Sequence, residues 1–463
     1  MHADSNGPAL HLGGFGGQHA IVIGASTSGL AAAAAAGRHF ARVTVLERDS
    51  LPEKSDTRRG VPQGRHVHAL LKGGQNVFNH YFPGLTAHML AQGASEVDIG
   101  QHIAWHHFGG WKTRFSSGVT MQCQTKGFLE WHVRQRLMQW PNVQMLEKSE
   151  VTGLNLQSGR ISGVQLRSGA TLEADLVIDA GGRNSQMPFF LKDLGIKLPE
   201  TSELPVEIGY ASQLFLPDPN DTDHDWRGML IHSRPPATRT AALMPVEGGR
   251  WIVTLVGWGG DLPGKDEGSF LEWARGLPVP DLYHAIRRAK PVDRVWSWRF
   301  PSNQRRHYER HDKLPDGIVV VGDANTSLNP IYAQGMSQGA IGASILDTVL
   351  HEQRKRAGPM QVAGLSARFH RAYAGFLDQC WMTSTTEDYC TLGPASKRAW
   401  YTPMLSSYMH RFAQLTWHDQ KAALAFFDVM HMQKPPSSLM TPRFLFKALG
   451  QRRRAKQEAG PQH

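Results

Sequence analysis

Apolar and polar positions along the chain fall into blocks that predict strands and helices in alternation near the N-terminus. A short apolar run over 19–23 reads as a buried strand. A turn over 24–29, an alanine-rich helix over 30–40 and a second strand over 42–46, ending at Glu47, follow. This β-turn-α-β pattern has the size of one Rossmann unit. Beyond a charged loop over 52–64, the pattern predicts a helix over 66–82, broken at Pro83-Gly84. Aromatic and threonine-rich stretches over 103–124 predict antiparallel strands. A helix follows over 128–140, with Leu129, Val133, Leu137 and Met138 at core spacing. Runs over 143–146, 151–157, 161–167 and 171–173 suggest a meander turning at Gly159 and Gly169 and feeding a strand over 175–178.

Strand-like runs over 208–216, 229–232, 241–244 and 251–258, separated by Pro/Asp-rich turns, predict a second, largely antiparallel sheet. Helices are expected over 270–277 and 281–289. A strand over 318–321 runs into Gly322-Asp323, and a small-residue helix spans 335–351. From 365 to about 427 the pattern is mostly helical, and residues 1–17 read as a flexible lead-in.

Composition bounds the function. The 463 residues are 41% hydrophobic and 19% charged, which supports a sizeable core and excludes a wholly disordered chain. Cys123, Cys380 and Cys390 are too scattered for a disulfide framework or a CxxC zinc site, so a reducing, cytoplasmic setting is expected. No apolar run approaches the roughly 20 residues of a membrane span, and no charged segment precedes an apolar run as in a signal peptide. Histidine is abundant at 23, but His66 and His68, and the adjacent His106 and His107, lack ligand partners at metal spacing. No metal site is expected.

Three segments carry candidate chemistry. In Gly24-Ala25-Ser26-Thr27-Ser28-Gly29, Gly24 permits the tight turn, Ser26 stands where a GxGxxG motif has its second glycine, and Gly29 allows close helix–strand packing. The helix N-terminus offers free N–H groups to a phosphate. Glu47, 23 residues after Gly24, can accept hydrogen bonds from both ribose hydroxyls of an adenosine and disfavours a 2′-phosphate. The second segment delivers Asp179 from a buried strand to the turn Gly181-Gly182-Arg183. In the third, Gly322 permits close approach of a ligand, Asp323 offers a carboxylate to a polyol, Pro330 stiffens the loop and Gly335 opens a helix.

In this order the three motifs resemble the FAD-dependent monooxygenases of the para-hydroxybenzoate hydroxylase-type superfamily. Arg59-Gly60-Val61-Pro62-Gln63-Gly64-Arg65-His66-Val67-His68-Ala69-Leu70-Leu71 and Asn329-Pro330-Ile331-Tyr332-Ala333-Gln334-Gly335-Met336 look more narrowly like bacterial flavoprotein epoxidases of the polyether type. The resemblance implies an α/β fold: a Rossmann-type FAD-binding domain, a mainly antiparallel β-sheet substrate domain and a C-terminal helical region. The FAD-binding domain would comprise 18–92, 125–195 and 306–352, the substrate domain 93–124 and 196–305, the helical region 353–450, and a basic tail 451–463.

Carried over to this chain, the resemblance implies that Gly24, Ser26 and Gly29 cradle the FAD pyrophosphate, with Glu47 at the adenosine ribose and Arg48 and Arg134 as further cofactor contacts. Gly322 and Asp323 would hold the ribitol, and Pro330, Gly335 and Met336 would lie beside the flavin ring. No protein residue is assigned a catalytic role. Ala333 departs from the family's usual glycine. NADPH or NADH would be a transient reductant, since no second dinucleotide fingerprint is present, or a separate flavin reductase would supply the electrons. One oxygen atom of dioxygen would pass through a flavin C4a-hydroperoxide to an apolar polyene, terpenoid, polyketide or aromatic, by epoxidation or hydroxylation. The alternatives are an alkene reductase of the geranylgeranyl-reductase type and a flavin-dependent halogenase, for which Lys72 is a candidate lysine. The Trp-rich stretch 205–300, with Trp226, Trp251, Trp258, Trp273, Trp296 and Trp298, is expected to wall the substrate pocket.

Net charge is 50 − 40 = +10. Six basic residues against one acid fall between Arg443 and His463, a balance of 6 − 1 = +5 beside Phe444, Phe446 and Leu449. The motifs turn the excess away from nucleic acid. The tail suits a solvated segment, or a peripheral contact with an anionic membrane or a partner.

Overall fold

Ile23, Asp179 and Val320 are register partners on neighbouring parallel strands, so three distant motifs begin at one sheet edge. The computed structural model describes residues 17–458 apart from 57, 59–61, 222–223, 358–360 and 393–399. The lead-in before residue 17 and the basic side chains of the 451–463 tail lie outside the described residues.

The parallel sheet has five strands in the order Ile318–Val320, Leu176–Asp179, Gly17–Ile23, Phe40–Leu46 and Val143–Leu146. Its strands are buried apolar runs, as expected of a sheet covered on both faces. Val143–Leu146 therefore belongs to this sheet and not to the meander; it pairs in parallel with Phe40–Leu46. The meander itself comprises Val151–Gln157, Arg160–Leu166 and Thr171–Glu173.

Helix Thr27–Gly37 buries every residue except Ser28. A helix of small apolar residues on all sides must be enclosed, and here the second helix is Gly335–Ala357. The contact is close: a Cβ on Gly339 would lie 2.0 Å from Ser28 Oγ. Glycine at 339 and serine at 28 therefore fix the spacing of two motifs some 300 residues apart.

The second sheet runs Thr326–Ser327, Trp296–Arg306, Thr201–Leu216, Arg250–Trp258, Arg239–Val246, Gly228–His232, Ile103–His107 and Gly110–Trp111. Two features depart from the sequence-based expectation. Trp296–Arg306 is a long strand, paired antiparallel with Thr201–Leu216 across a bulge between Pro205 and Ile208. The segment 93–124 divides: Ile103–His107 joins the large sheet in parallel with Gly228–His232, while Thr120–Cys123 pairs with Ser95–Asp98 and bridges Leu70 through Gln122.

Helix Leu365–Leu392 links the two halves. At one end His370 Nε2 accepts from the Val320 N–H (3.1 Å) and Tyr373 Oη from the Gly322 N–H (3.3 Å). At the other, Asp388 meets Asn303 of the second sheet (2.6 Å). Helices Thr402–Leu415, Gln420–Met430 and Pro442–Glu458 close the far side, Phe444 packing edge-on against Phe412. Among the described residues, no helix is long and apolar enough to cross a membrane.

Candidate active site

A cavity of about 430 Å³ is lined by all three motifs and by the inner face of the second sheet. Its first part lies at the N-terminus of helix Thr27–Gly37. Gly24 has φ +98°, and a Cβ there would lie 2.8 Å from the Ala180 carbonyl oxygen. On Gly29 a Cβ would lie 1.8 Å from the Gly24 carbonyl oxygen. Both positions therefore exclude any side chain. Ser26 is the residue that precedes the helix, and its hydroxyl donates to Glu130 Oε1, which also accepts from the Thr27 N–H (3.2 Å).

Glu130 was not singled out in the sequence. It lies on helix Lys126–Leu137 between Lys126 and Arg134, and all three are buried. Burial acts to raise its pKa, but Lys126, Arg58 and the bonds from Ser26 and Thr27 outweigh this and hold it below the usual range. A charged stripe at i, i+4 and i+8 on the core-facing side of a helix was the available signal. Arg58, in the charged loop, had no such signal. It pairs with Glu47 and lies 3.8 Å from Glu130. Its own burial lowers its pKa, and these two carboxylates more than compensate. Glu47 also accepts from the Ala25 N–H (2.9 Å) and the Asp49 N–H (3.1 Å).

The second motif is a brace. Asp179 accepts from Ser185 Oγ (2.5 Å) and the Gly181 N–H (2.9 Å), and burial raises its pKa. Arg183 reaches across to the Ser302 carbonyl oxygen (2.6 Å) and Ser302 Oγ (2.7 Å). In the third motif, Asp323 lines the cavity and makes no hydrogen bond to any described residue. Desolvation raises its pKa against the opposing pull of Lys126 and Arg183. Pro330 opens a short 3-10 turn, Ala333 takes φ +54°, and the helix begins at Gly335. The left-handed conformation is the one a glycine would adopt without strain.

Beyond this loop the cavity is largely apolar, with Trp105, Met121, Leu230, Met244, Trp298 and Phe426 on its walls. The tryptophan expectation is corrected: of the six in 205–300, Trp298 lines the cavity. Trp251 and Trp273 pack in a core cluster, and Trp258 packs in another. Trp296 is sandwiched by the guanidinium groups of Arg65 and Arg294, each 3.9 Å from the ring centre.

The predicted helix over 66–82 begins only at Lys72, because residues 66–71 cross the cavity. His66 Nδ1 bonds Ser212 Oγ (2.7 Å), and burial lowers its pKa to about 4; His68 falls to about 3 for the same main reason.

The cavity thus brings together Gly24, Ser26, Glu47, Arg48, Asp323, Pro330, Gly335 and Met336. Gly29 and Gly322 act behind it: a Cβ on Gly322 would lie 2.5 Å from Ser28 Oγ. Arg134 does not line it and instead donates to the Pro52 carbonyl oxygen. Lys72 is also off the lining, bonded to Thr120 Oγ1 (3.2 Å).

The residues present suit a dinucleotide such as FAD. Two glycines exclude side chains at the turn, a helix N-terminus lies beside Arg58 and Lys126, and the Asp323 carboxylate is without a hydrogen-bond partner among the described residues. The fold is that of the para-hydroxybenzoate hydroxylase-type FAD-dependent monooxygenases. PqsL, a probable FAD-dependent monooxygenase from Pseudomonas aeruginosa, superposes with a TM-score of 0.56 at 17% identity over 88% of this chain and 99% of its own. For 2-methyl-3-hydroxypyridine-5-carboxylic acid oxygenase the TM-score is 0.61 at 16% identity, over 90% and 98%. The flavin-dependent brominase Bmp2 gives 0.64 at 13% identity, over 95% and 100%.

In sequence, the chain belongs to the family of Protein Rv3254 from Mycobacterium tuberculosis, to which it is 30% identical over 406 residues, 83% of each chain. No family model matches. The narrower likeness to polyether epoxidases has no counterpart among these proteins.

Proposed function

We propose that the protein is an FAD-dependent monooxygenase that uses NADPH or NADH and acts on a largely apolar small molecule by epoxidation or hydroxylation. The observation that carries this reading is Asp323. A desolvated carboxylate without a hydrogen-bond partner, set between a glycine turn and a helix N-terminus, is unfavourable unless a polyol completes it. When bound and reduced, FAD supplies the activation of dioxygen.

The chain's own residues would do the rest. Glu47 takes the adenosine ribose and Arg48 flanks it. Ser26, the Thr27 N–H and Arg58 face the pyrophosphate, with Glu130 holding Arg58 and Lys126 in place. Asp323 accepts from the ribitol hydroxyls. Pro330 and the N–H groups at Gly335 and Met336 border the ring, where a helix N-terminus favours negative charge. Trp105, Trp298 and Phe426 keep water from the substrate and orient it.

The test is direct. The purified protein should be yellow, NADPH or NADH should bleach it, and turnover under ¹⁸O-labelled dioxygen should place one labelled atom in product. Label arriving from water, or anaerobic turnover, overturns the reading.

A further inference from the structure

Helix Leu365–Leu392 carries two adjacent carboxyl groups with different surroundings. Asp388 turns to the loop and is fully partnered, accepting from Asn303 Nδ2 (2.6 Å), Asn329 Nδ2 (2.7 Å) and the Tyr332 hydroxyl (2.8 Å). Glu387 turns to the cavity, lines it, and bonds to no described residue. The residue is half-buried, and burial first, then the neighbouring Asp388, push its pKa up to about 7.

The groups that face Glu387 come from three elements. Asp388 is its neighbour on the same helix, and Tyr332 approaches from the loop. Lys112 follows strand Gly110–Trp111, and its pull on Glu387 is opposite in sign. Yet Lys112 makes no ion pair with Glu387: its Nζ donates to Thr416 Oγ1 (2.8 Å) and lies 4.0 Å from the centre of the Phe426 ring. Burial pushes the Lys112 amine well below the usual lysine range, and with that nitrogen bonded to Thr416 the Glu387 carboxyl keeps its acceptor capacity toward the cavity.

A carboxyl acceptor facing a chamber walled mostly by aromatic and aliphatic side chains, with His107, His232 and Thr254 among them, is unfavourable unless something that enters the chamber satisfies it. A pure hydrocarbon would leave it unsatisfied. We propose that Glu387 is the substrate-recognition residue, taking a hydrogen bond from a hydroxyl or amino group on an otherwise apolar substrate. This rests on the reading above that the aromatic end of the cavity seats the substrate. It narrows that substrate from hydrocarbons in general to compounds with one donor group set against an apolar body.

The experiment uses the full chain and a matched pair of probes, 1-octanol and its methyl ether, which differ in the donor. Binding is read from tryptophan fluorescence, since Trp105 and Trp298 line the cavity. Wild-type protein should prefer the alcohol by about tenfold or more, as sites built to pair a hydroxyl reject analogues without one. Glu387→Leu should bring the ratio close to one with ether binding retained. Glu387→Gln keeps an acceptor without the charge and should lower the ratio. Equal affinities in wild type, binding of neither probe, or a wild-type ratio in Glu387→Leu overturns the proposal. Fluorescence also reports on protein without flavin. A colourless protein that discriminates the pair keeps this inference and loses the monooxygenase reading, whereas a yellow, NADPH-oxidising protein that fails to discriminate does the reverse.

Discussion

Asn329 Nδ2 donates to Asp388 Oδ1 at 2.7 Å, inside a fully buried network that also takes in Asn303 and the hydroxyls of Tyr332 and, through Asn329 Oδ1, Tyr210. A residue of the C-terminal helical region thereby fixes the loop that begins at Pro330. Asp388→Leu would leave three buried donors unpaired, and each neutral donor left without a partner costs about 1–3 kcal/mol. Urea denaturation should show that loss, together with weaker flavin retention. A variant within about 0.5 kcal/mol of wild type would mean that the network does not hold the loop.

Asp323→Asn should move stability and function in opposite directions. The carboxylate is desolvated and bonds to no described residue, so a neutral isostere should raise the melting temperature of flavin-free protein. FAD affinity should fall about tenfold or more, since charge-assisted hydrogen bonds to the ribitol are the stronger kind. Equilibrium dialysis against FAD and thermal melts of the same preparation check both signs.

Gly29→Ala should abolish flavin loading. Its Cβ would lie 1.8 Å from the Gly24 carbonyl oxygen, so the turn must open or the helix must shift. The expected outcome is colourless or poorly soluble protein. Yellow protein of normal stability would contradict the close packing described here.

Stability should fall steeply in mild acid. His66, His370 and His431 have pKa values lowered to about 4, and His68 and His232 to about 3, in each case mainly by burial. These groups take up protons on unfolding, so their contribution is full above about pH 6.5 and is lost as pH falls toward 4. Each contributes a slope of about 1.4 kcal/mol per pH unit inside that window. Melting temperatures measured from pH 7.5 to 4.5 should drop below pH 6.5. A flat profile would rule out neutral, buried imidazoles.

Periodicity exposed the parallel half of the fold because buried strands read as continuous apolar runs, and the three glycine turns punctuate them. Eight of the eleven residues proposed for the cofactor line the cavity for that reason. Long-range pairing was not legible. Val143–Leu146 has the local pattern of a meander strand, and only the partner Phe40–Leu46 makes it parallel. Trp296–Arg306 was obscured by its aromatic and charged residues; Arg305 and Arg306 are buried against Glu309 and the Ala324 carbonyl oxygen, contacts that no local pattern announces. Arg58, Glu387 and Asp388 carry no motif; their roles come from contacts that span tens to hundreds of residues.

The seam between Ser28 and Gly339 also bears on how the protein is made. The alanine helix leaves the ribosome some 300 residues before the helix that covers it, and Ile318–Val320 completes the sheet equally late. At about 5–20 residues per second, the nascent N-terminal segment waits on the order of tens of seconds for its partners. Translation, rather than the finished protein, is therefore the stage at which this chain is most open to aggregation and most dependent on chaperones.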